Sequence, residues 1–422
     1  MGEKVPAGFG LTSVKLDLVV DSIASTKECA SNRLLFAEIE VRPPPHAPFL
    51  RLNSFVHFER VAIESLGFTL PPEILTSAAL EQRLSPVYER LGLPEGRLEL
   101  MSGISERRWW EPRTPIGTPS VRSARLALEA AQVDPGDIGC LIHASVCRDY
   151  LEPATACRVH AELGLSPQCW VYDLSNACLG LLNGMFQIAT LIEAGAIKAG
   201  IVVGTESARN LVESTIASLN TDMRLTRQSI KPSFASLTIG SGSCAVLLLD
   251  RSLSRTDNRL LNCVARAESE HHALCQSDTD QAGADMQPLM QTDSEQLLQA
   301  GVAVGQRTFA QLLAAGTQRA RIGQSVCHQV GVAHRRLMLQ TLGLPEAADF
   351  TTFSWLGNTG SVALPTALAL GLRSGFIQPD HEVALLGIGS GINSVMMSTT
   401  WPRPIVAGEL DENATAHLRL AE

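Results

Sequence analysis

The chain has 422 residues, 45% of them apolar and 18% charged, with 33 glycines and 22 prolines. That is ordinary globular material, long enough for at least two hydrophobic cores, and it excludes a disordered, collagen-like or coiled-coil protein. Thirty-four basic against 43 acidic side chains leave a net charge of −9, which argues against a general nucleic-acid or anionic-membrane binder. No apolar run has the length of a spanning helix, and Met1-Gly2-Glu3-Lys4-Val5-Pro6 lacks the layout of a secretory signal. Ten irregularly spaced cysteines read as reduced thiols of a cytoplasmic protein rather than as a disulfide framework.

In chain order, residues 1–51, closed by Pro43-Pro44-Pro45, show no sustained period and read as a flexible N-terminal extension. A β-like run follows over Phe58–Leu66. Thr118-Pro119 reads as an N-cap with proline in the first turn, opening a helix through Ala131. Asp134-Pro135-Gly136 turns the chain into a strand over Ile138–Val146, and Trp170–Leu174 forms another that feeds a helix starting near Cys178. Ile201–Gly204 and Ala245–Leu249 have the continuous apolarity of buried strands. The second half repeats the style. Thr292-Asp293-Ser294-Glu295 fits a capping box before a helix through Leu313, and Ser325–His328 ends a short strand. Asn358-Thr359-Gly360 opens an apolar helix, Val383–Ile388 is the last buried strand, and residues 406–422 read as a polar tail. Such alternation implies an α/β protein with helices on both sheet faces, divided into halves over 52–250 and 251–405.

Four segments carry the chemistry. Asp173-Leu174-Ser175-Asn176-Ala177-Cys178-Leu179-Gly180 places a thiol at the start of an almost wholly apolar helix, where the dipole favours thiolate. Cys327-His328-Gln329-Val330 sets an imidazole at a strand end, where open α/β sheets place reactive groups. Gly357-Asn358-Thr359-Gly360-Ser361 offers a side-chain amide, and Gly387-Ile388-Gly389-Ser390-Gly391 offers backbone N–H groups in a glycine-rich turn. His328 and His334 are six residues apart, which suits no metal motif, so no metal is expected.

In that order the four segments resemble the condensing enzymes of the thiolase superfamily, in the ketoacyl synthase III-like branch. Ser102-Gly103-Ile104-Ser105-Glu106-Arg107-Arg108-Trp109 is similar to that branch as well, and the likeness runs from about residue 55 to 401. Ser145-Val146-Cys147-Arg148-Asp149-Tyr150-Leu151-Glu152-Pro153 resembles the matching region of OleA-type enzymes, which join two acyl-CoAs head to head. The resemblance implies a thiolase-like fold, two pseudo-repeated halves packed as an α-β-α-β-α sandwich. It implies Cys178 as nucleophile, His328 and Asn358 as holders of the second thioester's carbonyl, and the N–H groups of Cys178 and Ser390 as an oxyanion hole. Glu152 would be the α-proton base, reaching across a homodimer interface, although an acid beside Pro153 at a helix start is also favoured by the dipole alone. Arg107, Arg108 and Trp109 would contact the nucleotide of CoA by stacking and phosphate pairing, or else form a structural Arg-Trp cluster. The implied reaction is non-decarboxylative Claisen condensation of two fatty acyl-CoAs to a 2-alkyl-3-oxoacyl product for olefin or β-lactone synthesis. It needs no cofactor beyond its CoA thioester substrates, and downstream pathway enzymes are its expected partners. Decarboxylative condensation with a malonyl thioester and a non-catalytic acyl-binding role are the alternatives.

Overall fold

A computed structural model of the protein describes residues 55–277, 289–379 and 381–419, so the expected extension over 1–51 lies outside the described residues. The N-terminal half begins with β1 (Phe55–His57), β2 (Val61–Thr69) and β3 (Glu73–Thr76). Three short helices follow, α1 (Ser77–Arg83), α2 (Ser85–Leu91) and α3 (Arg97–Ser102), and then β4 (Glu106–Trp109). It continues through α4 (Gly117–Ala131), β5 (Cys140–Ala144), α5 (Thr155–Leu163), β6 (Trp170–Leu174), α6 (Gly180–Glu193), β7 (Ala199–Glu206), α7 (Arg209–Thr221) and β8 (Gly242–Asp250). The C-terminal half opens with β9 (Arg259–Ala267), β10 (Cys275–Ser277), β11 (Met290–Thr292), α8 (Ser294–Ala314) and β12 (Ile322–Cys327). Then come α9 (Val332–Leu342), α10 (Phe353–Leu356), α11 (Ala363–Arg373), β13 (Glu382–Gly389), β14 (Asn393–Thr400), β15 (Val406–Ala407) and α12 (Glu412–Arg419).

Strand pairing shows an internal repeat that the residues themselves hide. The run β5-β7-β8-β2 has one parallel pair and then two antiparallel pairs. The run β12-β13-β14-β9 has the same sequence of pairings. The two runs meet where Ala62 pairs with Arg259, and β6 adds to the outer end of the first, parallel to β5.

Alternation along the buried strands builds the layers, because successive side chains leave opposite faces of a strand. Ile201 and Val203 of β7 face α4 and α5, meeting Ala124, Leu128 and Val159. Between them Val202 points the other way, toward Leu182, Met185 and Ile188 of α6. In the second run, Leu386 and Ile388 of β13 meet Phe309 of α8 and Met338 of α9, whereas Leu385 joins Leu368 and Leu370 of α11. Thus α6 and α11 are sandwiched between the two strand runs, with α4/α5 and α8/α9 outside. This is the thiolase-type α-β-α-β-α arrangement. The strands are apolar on both faces because helices cover both.

Several boundaries differ from the sequence reading. Helix α4 starts at Gly117 with Ile116 at the cap and no side-chain cap, so Thr118 lies within its first turn. Helix α8 is capped by Asp293, whose carboxylate accepts from the Gln296 N–H, and not by Thr292. Strand β13 is followed by β14, so it is not the last buried strand. The supposed polar tail is structured over 406–419: β15 pairs with β2, and α12 buries Ala414 and Leu418 in the central core.

Candidate active site

The reactive residues sit on loops at strand ends and at the starts of the two sandwiched helices. Cys178 lies between β6 and α6, just outside the helix, which begins at Gly180 with Leu179 as its cap. Ala177 before it has φ +43°, a left-handed conformation that is strained for a residue with a Cβ. The expected thiolate is not the resting form. Burial first, then the nearby Cys275 and Glu206, push the Cys178 thiol up to about 12. Desolvation outweighs the dipole of a helix that starts two residues later.

The glycine turn after β13 closes on this loop. A Cβ on Gly389 would lie 3.0 Å from Leu179 Cγ and 3.6 Å from Cys178 Cβ, so glycine lets the strand end approach the nucleophile. Asn393 Nδ2 donates to Asn176 Oδ1 at 3.0 Å, and Asn176 Nδ2 donates to Asn183 Oδ1 at 2.8 Å, tying that turn to the cysteine loop. Just past β13, the Ser390 N–H has no partner among the described residues.

His328 enters from the strand beside β13, its N–H donating to Leu386 O at 3.1 Å. The ring is buried, neither nitrogen has a hydrogen-bond partner among the described residues, and burial pushes the imidazole down to about 3. It is therefore neutral near pH 7, with one N–H and one lone pair free. Unpartnered buried polar atoms cost free energy, and a ligand group meeting them recovers it. Asn358 is held on both sides of its peptide, by Thr238 O and by the Gly240 N–H. Its Oδ1 accepts from the Gly360 N–H at 3.0 Å, and its amide NH₂ has no partner among the described residues.

Glu152 stands apart. It is exposed on the loop between β5 and α5, with no hydrogen-bond or ion-pair partner among the described residues. Glu152 does not cap the helix that follows, since Asp173 takes the Thr155 and Ala156 N–H groups at 2.8 Å each. Val146, Tyr150 and Leu151 on the same loop are exposed apolar side chains, as is Trp170 on the edge strand β6.

The structure overturns the expected CoA contacts. Arg107, Arg108 and Trp109 form β4 and are buried. Arg107 donates to Ser77 Oγ, Arg108 grips both carboxylate oxygens of Asp411, and Trp109 lies under Arg209 at 4.8 Å. A cleft of about 920 Å³ is instead lined by Arg97, Met101, Lys231, Phe234, Thr292 and Asp293. Arg97 stacks over Phe234 at 5.6 Å, and its buried Nε has no partner among the described residues. Nothing in the local pattern singled out Arg97 or Lys231. Glu206, beside Cys178, was missed as well because it ends an apolar strand.

A thiol before α6, an uncharged imidazole after β12 and a side-chain amide before α11, on this fold, define a thiolase-fold condensing enzyme. Residues 312–401 match the C-terminal domain of 3-oxoacyl-[acyl-carrier-protein] synthase III. The chain is 40% identical to an acyl-CoA:acyl-CoA alkyltransferase of Shewanella oneidensis over 82% of its own length and 99% of the relative's. A Xanthomonas campestris protein of the same description is 34% identical over 82% and 99%. A crystal structure of Xanthomonas campestris OleA with alanine replacing a cysteine superposes with a TM-score of 0.77 at 32% identity, covering 83% of this chain and 99% of that one. Another, with serine at that cysteine and lauric acid and lauroyl-CoA bound, gives 0.76 at 33%, covering 82% and 100%. The chain belongs to the acyl-CoA:acyl-CoA alkyltransferase family, the family of OleA.

Proposed function

We propose that the protein joins two fatty acyl-CoA thioesters by non-decarboxylative Claisen condensation to a 2-alkyl-3-oxoacyl product, the kind of product that olefin or β-lactone synthesis consumes. Cys178 sulfur attacks the first thioester carbonyl as its proton leaves, and CoA thiol departs. The Cys178 and Ser390 N–H groups face the oxygen that gains charge, where fixed donors act most strongly. Glu152 takes the α-proton of the second acyl-CoA. His328, neutral and with a free ring N–H, and the Asn358 amide donate to the enolate oxygen. The α-carbon then attacks the acyl-Cys178 carbonyl, a C–C bond forms, and the Cys178 thiolate leaves. No metal or redox group enters this sequence. The cleft lined by Arg97 and Lys231 is where we place CoA, with those two cations as the candidate phosphate contacts, although Asp293 and Glu295 line it as well.

Glu152 is exposed in the single chain, whereas a base that takes an α-proton works in a site closed off from water. The apolar residues around it and the free edge of β6 support a homodimer in which a second copy provides that cover. The cytoplasm, which supplies acyl-CoA, is the compartment we infer. Among the described residues no helix is long and apolar enough to cross a membrane.

The observation that carries the reading is the placing of Glu152. The glutamate and the cysteine replaced in solved OleA variants stand 26 positions apart, as do Glu152 and Cys178. Glu152→Gln tests it: intact mass should still show acyl-Cys178, while condensation falls by roughly 10²-fold or more, the range expected for removing a positioned base. Unimpaired condensation in that variant overturns the assignment.

A further inference from the structure

Glu206 is a buried carboxylate beside the nucleophile that none of the steps above uses. It ends β7, only 5% exposed, and has no arginine, lysine or histidine partner among the described residues. All its partners are donors. Oε1 accepts from the Val146 N–H at 3.0 Å, the Ser361 N–H at 3.3 Å and the Ser361 hydroxyl at 2.5 Å, and Oε2 accepts from the Cys147 N–H at 3.3 Å. Those donors belong to two different loops. Val146 and Cys147 begin the loop that carries Glu152, and Ser361 follows the Asn358-Thr359-Gly360 turn. Gly360 lies so close that a Cβ there would be 3.1 Å from Glu206 Cγ, and the same Gly360 donates its N–H to Asn358 Oδ1. Ser361 Oγ also reaches Ala144 O at the end of β5, closing the junction on its third side.

We propose that Glu206 is a positioning residue that locks the Glu152 loop and the Asn358 loop in one register about the Cys178 thiol. This rests on the condensation reading given above, since it is there that both loops must act on the same thioester. A structural filler at this point could be apolar, but four inward donors require an acceptor with two oxygens. A neutral amide of the same shape would turn an NH₂ against one set of donors, so one loop would shift while the thiol stayed in place. The carboxylate's charge also lies near Cys178 and opposes its ionisation.

Two variants separate reach from charge. In Glu206→Gln, acylation of Cys178 by myristoyl-CoA, read by intact mass, should stay within about threefold of wild type, while condensation from the acylated enzyme falls about tenfold or more, the scale of unpaired buried donors. With a negative charge removed, the pH profile for iodoacetamide alkylation of Cys178 should move to lower pH. Glu206→Asp should keep the wild-type alkylation profile yet still condense poorly, because the shorter side chain cannot span both loops. Condensation at the wild-type rate in both variants, or an unmoved alkylation profile in Glu206→Gln, overturns the proposal. If either variant unfolds, as judged by circular dichroism, Ser361→Ala decides: removing one donor should slow condensation while sparing acylation, and equal losses in both steps count against the proposal. Wild-type enzyme run in parallel keeps the two readings apart, since its failure to form an acyl adduct refutes the condensation reading and not the role of Glu206.

Discussion

Replacing Arg108 by alanine should unfold the protein more easily without weakening its hold on acyl-CoA. The guanidinium is 1% exposed and donates to both oxygens of Asp411, at 2.5 and 2.8 Å, to Asn413 Oδ1 at 2.8 Å and to Pro71 O at 3.2 Å. These contacts pin α12, whose Ala414 and Leu418 fill the central core. Asp411 is 48% exposed and regains water once released, so the full cost of stranding a buried charge does not apply. Lost charge-assisted bonds and the unpaired Pro71 carbonyl together come to about 3 kcal/mol. Urea unfolding followed by tryptophan fluorescence measures that loss. Hydrogen bonding from Arg108, foremost, holds Asp411 below its ordinary 3.8. The stabilisation is therefore complete above about pH 4 and lost as pH falls through the lower folded value, a dependence that Arg108→Ala should flatten. The KM for acyl-CoA should stay within about twofold of wild type because the side chain never meets the cleft. A tenfold rise in KM with an unchanged urea midpoint would return Arg108 to the CoA site and refute this reasoning.

With Cys178 pushed up to about 12, alkylation of the free enzyme should still accelerate between pH 8 and pH 9.5, and a plateau in that range would show a thiolate already formed. His328, pushed down to about 3, stays neutral above that value, so the acylation rate should show no inflection near 6.5; one there would assign His328 a protonated role. Buried neutral His328, His334 and His143 all have lowered values, and unfolding lets each take up a proton below its ordinary 6.5. Stability to urea should therefore decline as pH falls from 7 toward 5, and a flat profile contradicts that burial. Trp170→Asp places a charge on the β6 edge of the proposed dimer and should leave monomers in sedimentation velocity, with condensation lost and acylation of Cys178 retained; unaffected condensation by monomers would place Glu152 within its own subunit's site.

Elements with a steep local signal were legible in the sequence. Trp170–Leu174 matches the observed strand to the residue, although it is a partly exposed edge strand, and the apolar cylinder after Cys178 is a buried helix, because near-continuous apolarity marks an element covered on all sides. The glycine turn and the histidine at a strand end were readable too, since each carries its residues within a few positions. What was hidden depended on partners far along the chain. Arg107-Arg108-Trp109 offered no local choice between a CoA contact and a structural cluster, because the partners that bury Arg108, Asp411 and Asn413, lie some 300 residues away. The same pairing structures 406–419, where two buried side chains in an otherwise polar helix left no visible period. Glu206 reads as an exposed strand end until Val146, Cys147 and Ser361 are brought around it. The resting state of Cys178 is hidden for a related reason, since helix proximity is visible in a sequence and depth of burial is not.

The measurement that bears most directly on the central claim is product analysis with myristoyl-CoA as the only thioester, repeated with a malonyl thioester added. The account predicts a 2-alkyl-3-oxoacyl product in the first tube, dependent on Cys178 and Glu152 and not increased by the malonyl donor. Product that forms only when the malonyl thioester is present would contradict it.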